Sequence, residues 1–366
     1  LEQLGFFESI EISTPRGSAD DRLVLNLNVR EKPTGTFSVG AGFSSAESFL
    51  FTASVAKNNF FGYGISGNIT AELSGRRQQF SANITDPYFL DSRFIFNGNA
   101  FRIATDFNDF TRNAFGGGVS IGRRIFDFTS FSLGYKIADV SVTNFDLIVP
   151  EFFRENTDGL SSSVVFTLRR DTRNHPLITT KGSYYSLNLE YSGLGGTVDF
   201  FRVLGNGRWY IPVWKTSTFK INARIGWIKS TDGEPVPLYE RFFTGGINSL
   251  RGYELRSVGP FITIPDSITG TDRVFVYGGN KLLVLNFEYE FPIYDKAGFR
   301  GVVFFDAGNT FAEDESLNPL ALRLDFGAGI RWNSPFGPLR FEWGFPINRR
   351  PDERKSVFNF TIGSFF

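Results

Sequence analysis

Two segments of the sequence carry the letters of cofactor or catalytic motifs. Gly62-Tyr63-Gly64-Ile65-Ser66-Gly67 spells the glycine pattern of a dinucleotide-binding turn, and Gly118-Val119-Ser120-Ile121-Gly122 that of a turn presenting a nucleophilic serine. Both patterns work where a strand ends and a helix begins, because that junction presents the amides or the hydroxyl. Here both run on into alternating, strand-like sequence, so neither cofactor binding nor serine chemistry is expected. The single imidazole, His175, sits in the charged turn Arg169-Arg170-Asp171-Thr172-Arg173-Asn174-His175-Pro176, far along the chain from Ser120. With no Cys and one His there is no thiolate, no disulfide and no multi-histidine zinc site. Lys and Arg number 38 and Asp and Glu 38, a zero balance that gives no electrostatic reason to expect nucleic acid. No catalytic residue, metal or cofactor is expected, and the chain reads as a non-enzyme.

A different constellation is more informative. The run Glu240-Arg241-Phe242-Phe243-Thr244-Gly245-Gly246-Ile247-Asn248-Ser249-Leu250-Arg251-Gly252-Tyr253 lies in a long stretch without strand patterning, and is followed by Leu285-Asn286-Phe287-Glu288 and Phe304-Phe305-Asp306-Ala307-Gly308-Asn309. Alternation places Glu288 on the face opposite Phe287, and Asp306 opposite Phe305 and Ala307. A loop folded back onto that face would bring Arg251 to both acids. A guanidinium fork held by two carboxylates would pin the loop, and removing one partner would strand a desolvated charge.

The elements that must position these groups are strands. Phe219, Ile221, Ala223, Ile225 and Trp227 alternate with Lys220, Asn222, Arg224 and Gly226; Leu322, Leu324, Phe326, Ala328, Ile330 and Trp332 alternate with Arg323, Asp325, Gly327, Gly329 and Arg331. Such runs are about 9–11 residues long, the length of a tilted strand crossing a bilayer and longer than the usual strand of a soluble sandwich. Aromatic residues make up 17% of the chain, with 44 Phe, more than a soluble core of this size would take in. No stretch is long and apolar enough for a transmembrane helix. The pattern predicts an all-β, sixteen-stranded antiparallel transmembrane β-barrel, with strands starting near 35, 47, 63, 76, 92, 112, 128, 160, 181, 198, 215, 277, 298, 320, 338 and 356, and with tight and long connections alternating. The longest connection is expected at about 230–276.

Residues 1–32 differ. Leu4-Gly5-Phe6-Phe7 reads as a helix end, and Ile10-Glu11-Ile12 with residues 23–29 as a soluble hairpin. So small a piece holds no core of its own and is expected to be the tail of a larger domain. The start, Leu1-Glu2-Gln3, lacks Met and a basic region before an apolar run, and reads as that of a processed or trimmed chain.

Taken in order, Phe243-Thr244-Gly245-Gly246, then Leu250-Arg251-Gly252-Tyr253, the Asp306-Ala307-Gly308 strand and the closing strand resemble the Omp85 superfamily of outer-membrane proteins. The resemblance covers essentially the whole chain. It implies that residues 1–32 are the C-terminal part of an α+β POTRA domain and 33–366 the barrel, with the 230–276 loop extracellular and folded into the lumen. It also implies a lock in which Arg251, Gly252 and Tyr253 meet Glu288 and Asp306. The family loop often reads Val-Arg-Gly-Phe; Leu250 and Tyr253 keep its apolar and aromatic character. The implied location is the outer membrane of a Gram-negative bacterium. The implied partners are unfolded outer-membrane β-barrel substrates, periplasmic accessory lipoproteins and outer-membrane lipid. Members that export a partner protein through the lumen share the Arg-Gly-Tyr loop, whereas a simple porin would lack the lock.

The first and last barrel strands must meet, because lipid leaves no strand edge solvated. Gly35, Phe37, Val39, Gly40 and Gly42 mark a glycine-rich first strand; Phe358, Phe360, Ile362, Gly363 and the terminal Phe366 mark the last, which also resembles the C-terminal β-signal of outer-membrane proteins. Glycine weakens a strand. This seam is therefore expected to be the least secure and to open laterally, so that a nascent strand can add to its edge.

Overall fold

The computed structural model describes residues 6–19, 22–155, 157–176, 178–214, 216–265, 272–334 and 337–363. The chain opens with an antiparallel hairpin, β1 (Phe7–Ser13) and β2 (Asn26–Glu31). Phe7, expected at a helix end, begins the first of these strands, while Leu4 and Gly5 lie outside the described residues.

Eleven barrel strands follow: β3 (Gly35–Ser44), β4 (Ser48–Phe60), β5 (Ile65–Ser74), β6 (Arg77–Asp86), β7 (Ile95–Asp106), β8 (Thr111–Phe126), β9 (Thr129–Thr143), β10 (Gly159–Asp171), β11 (Gly182–Ser192), β12 (Phe200–Pro212) and β13 (Thr218–Ser230). The long loop then carries its own hairpin, β14 (Phe261–Ile264) and β15 (Arg273–Val276). Five more strands complete the barrel: β16 (Lys281–Tyr294), β17 (Phe299–Phe311), β18 (Arg323–Ser334), β19 (Gly337–Pro346) and β20 (Val357–Gly363). All sixteen close antiparallel, with β20 beside β3.

Alternation decides what each wall residue does. Phe37, Phe51, Phe115, Phe326, Trp343 and Phe358 are exposed on the outer face, and Asp306, Asp325 and Glu342 are buried on the inner one. The Phe surplus is thus a coat outside the barrel, where lipid replaces a protein core.

Two expectations about the connections need correction. The loop after β13 runs from 231 to 280, and its last residues already lie against the wall: Asn280 bonds Ile228 of β13 and Phe311 of β17 at 2.8 Å each, while Phe242 and Gly279 exchange backbone hydrogen bonds of 2.9 Å within the loop. Nor do tight and long connections alternate all round. On the side of the long loop, residues 45–47, 75–76 and 107–110 are themselves short turns, and the long connections begin only after β9. Phe110 of the β7–β8 turn, Val149 of the β9–β10 loop, and Leu238 and Phe275 of the long loop are buried together as an apolar cap over that end. Each such burial contributes roughly 1.5–3 kcal/mol, so the loops brace one another.

Candidate functional site

Arg251 sits on the long loop inside the lumen, 2% exposed. The loop reaches it through a compact turn: Thr244 Oγ1 donates to the Val258 carbonyl at 3.0 Å, and the Gly246 amide donates to the carbonyls of Leu250 and Tyr253 at 3.0 Å each. From there Arg251 donates to Asp306 in a bidentate fork, Nε to Oδ2 at 2.7 Å and Nη2 to Oδ1 at 2.6 Å, with its backbone N–H on Oδ2 at 3.2 Å. Nη1 donates to Glu288 and to Glu342 Oε2, the latter at 3.2 Å, and the guanidinium plane lies 3.6 Å from the Phe304 ring centre. Charge-assisted, bidentate and stacked contacts on one side chain fix it in a single geometry.

The structure brings Arg251, Glu288 and Asp306 together. Gly252 lies against β18, where a Cβ would stand 2.6 Å from the Asp325 Cβ, so no larger residue fits. Tyr253 donates its hydroxyl to the Leu324 carbonyl at 3.1 Å and to Asn348 Oδ1 at 3.0 Å.

Sequence reasoning missed several members of this cluster. Asn286 donates to Asp306 Oδ1 at 2.8 Å and to the Ser249 carbonyl at 2.6 Å. Glu342 is the third carboxylate on Arg251 and is also gripped by Arg331 and Arg340, with Nε-to-Oε1 distances of 2.9 and 2.7 Å. Arg331 spans to Glu288 Oε2 and Glu290 Oε2 at 2.9 and 3.0 Å. Lys220 and Arg300 complete the ladder on Glu290. Glu342 was readable as an inward acid of β19; what brings it to the height of Arg251 is strand register, which no local pattern states.

The loop is anchored a second time at Arg256, whose guanidinium lies 3.4 Å from the Phe243 ring centre and 4.0 Å from that of Phe107. Burial between these rings pulls its pKa down to about 10, opposed by the Asp109 carboxylate.

The seam is built quite differently. Thr361 opposite Ser44, Ile362 opposite Phe43 and Gly363 opposite Gly42 are its rungs among the described residues. The Ser45 amide adds a 3.0 Å bond to the Phe360 carbonyl, and the rings of Phe43 and Phe360 stack at 5.6 Å. Gly363 has φ +94°, and a Cβ there would meet the Ala41 carbonyl oxygen at 2.6 Å. Only glycine accepts that kink. Gly35, Phe37, Val39 and Gly40 pair with β4, opposite Lys57, Val55, Ala53 and Thr52, and have no β20 partner among the described residues. Phe358 pairs with Trp343 of β19, and Phe360 with Phe341. Phe366 lies outside the described residues. Among the described residues, lock and seam are joined by a hydrogen bond in which Asn359 Nδ2 of β20 donates to the Arg251 carbonyl at 2.8 Å.

The Omp85 superfamily domain matches residues 59–366. The chain belongs to the Omp85 superfamily. Among curated Omp85 relatives, outer membrane protein assembly factor BamA of Nitratidesulfovibrio vulgaris is 27% identical over 372 residues, covering all of this chain and 46% of that protein. The chain spans about half the length of the curated relatives it matches first. Among solved structures, BamA from Haemophilus ducreyi lacking POTRA domains 1–3 superposes with a TM-score of 0.88 at 22% identity, over 99% of this chain and 76% of that one. CdiB from Acinetobacter baumannii superposes less well, with a TM-score of 0.60 at 14% identity over 99% and 66%. Within the superfamily this is therefore a BamA-type barrel, and its place is the outer membrane of a Gram-negative bacterium.

Proposed function

We propose that the chain is the barrel portion of a factor that assembles and inserts β-barrel proteins into the outer membrane, by lateral opening of the β20–β3 seam. A nascent strand then adds to the exposed β3 edge by main-chain pairing. The observation that carries this reading is the contrast between a seam of three described rungs and walls paired over their whole length, such as β16 with β17 from Lys281–Phe311 to Tyr294–Phe299. Folding of the incoming chain supplies the free energy, so no nucleotide or covalent step is required. Arg251, Gly252, Tyr253, Glu288 and Asp306 act as the lock that holds the loop in the lumen, and Asn359 relays its position to the seam. Residues 1–32 are read as the end of a POTRA domain, and the long loop as extracellular. The partners on this reading are unfolded outer-membrane barrel substrates, periplasmic accessory lipoproteins and the lipid at the seam.

Reconstituted into liposomes, the protein should accelerate folding of a second, unrelated outer-membrane barrel over protein-free liposomes. Equal folding rates would refute assembly activity. Steady open-channel conductance without acceleration would instead mark a porin, and export of a partner through the lumen a secretion barrel.

A further inference from the structure

The wall across the lumen from the seam carries charge that nothing above uses. At the tight-turn end, cross-strand pairing sets the inward residues of β10–β13 in rows: Asp171, Tyr184, Arg208 and Asn222 in one, and Arg169, Ser186, Asn206 and Arg224 in the next. Arg169, Arg173 and Arg208 gather round Tyr184, their guanidinium carbons 5.1, 5.0 and 5.7 Å from the ring centre. Asp171 serves two of these, accepting from Arg169 Nη2 at 2.9 Å and from Arg173 Nε and Nη2 at 2.9 and 2.8 Å. Arg208 and Arg224 have no ion pair among the described residues; Arg224 reaches only the Asn248 carbonyl, at 3.5 Å. Asn206 Oδ1 is buried and accepts no hydrogen bond among the described residues. A cavity of about 660 Å³ adjoins the wall on the β7–β9 side of β10, lined by Asn97 of β7, Arg124 of β8, Ser132 of β9 and Arg169, Asp171 and Arg173.

This differs in kind from the β16–β19 side, where each arginine is closed onto carboxylates. Here cations stand in excess, at separations that suit an extended chain. Strands lie about 4.8 Å apart, so Arg169 on β10 and Arg224 on β13 are about 14 Å apart along their row, the span of four residues of extended peptide at about 3.4 Å each. Residues four apart in such a peptide point to one side.

We propose that this wall is a docking surface for an acidic, extended peptide entering the lumen from the tight-turn mouth. Carboxylates four residues apart pair with Arg169 and Arg224, and a further acid reaches Arg208. The inference rests on the charge layout alone and stands or falls independently of assembly activity.

Fluorescence anisotropy tests it with the full chain in nanodiscs and a labelled Ser/Gly/Thr peptide carrying Glu at positions i and i+4. The Glu peptide binds, binding weakens as salt is raised, and the Gln version binds at least about tenfold more weakly, the loss of about one charge-assisted pair. Arg169→Glu with Arg208→Glu lowers affinity at least about tenfold, whereas Lys at both positions keeps it within about threefold. Arg208→Gln alone, with folding checked by heat-modifiability on gels, serves if the double reversal does not fold. Equal binding of Glu and Gln peptides, no effect of charge removal in a folded barrel, or displacement by sulfate at the same total charge as the peptide would each overturn the proposal, the last by showing a simple anion site.

Discussion

The β16–β19 wall and the β20–β3 seam are parts of one closed sheet, yet they are held by different forces. The wall has continuous strand pairing and, inside it, a charge ladder in which Arg251, Arg331 and Arg340 share Glu288, Asp306 and Glu342. Each of those groups has left water, so each depends on its neighbours staying in place. The seam has three described rungs, a glycine kink and one ring stack, and no ion pair among the described residues bridges β3 and β20. Among the described residues, ion pairs are concentrated where the loop docks and are absent between β20 and β3. A hydrogen bond from Asn359 to the Arg251 carbonyl joins the two regions. The proposed opening at one place would draw on this asymmetry, because lipid penalises an unpaired edge anywhere else.

The largest effect is expected from the wall. Arg251→Ala leaves Asp306, Glu288 and Glu342 buried without their shared cation and should cost about 3–5 kcal/mol, read as a lower unfolding midpoint in urea. Hydrogen exchange should rise across residues 244–258, and assembly activity should fall even where the barrel still folds. Normal activity with a mobile loop would remove Arg251 from the mechanism. Next comes the seam itself. Gly363→Val forces a β-branched residue to φ +94° against the Ala41 carbonyl, costing roughly 1–3 kcal/mol. The loss should show as heat-modifiability at lower temperature, with the Arg251 region still protected. Asn359→Ala removes the link between the regions and should cost about 1 kcal/mol, raising exchange in 42–45 and 358–363 while leaving the charge ladder intact. Protection lost in the ladder as well would mean that the two regions are not separable. The smallest effect is a control: Ser120→Ala, in the segment with nucleophile-turn letters, should change stability by less than about 0.5 kcal/mol and leave assembly unaltered.

Much of the fold was legible because a barrel wall is a repeated local signal. Strand starts expected near 35, 47, 63 and 76 fall at 35, 48, 65 and 77, since inward and outward residues meet opposite solvents along the whole strand. Glu288 and Asp306 could be placed on the inner face for the same reason. What the sequence hid depends on non-local geometry. Glu342 and Asn359 reach Arg251 because of register between strands distant in sequence, and Phe242 pairs with Gly279 inside the long loop, a contact no local pattern states. Arg256 was invisible because its partners, Phe107 and Phe243, come from two loops that meet only over the closed barrel.

The proposed lateral opening can be tested directly because the chain contains no cysteine. Ser44→Cys with Thr361→Cys places two thiols at a directly opposed pair of the seam, within the separation a disulfide can bridge. In liposomes, the oxidised barrel should fold a second barrel no faster than protein-free liposomes do, and reductant should restore the wild-type rate. Full activity in the oxidised, cross-linked protein would contradict opening at this seam.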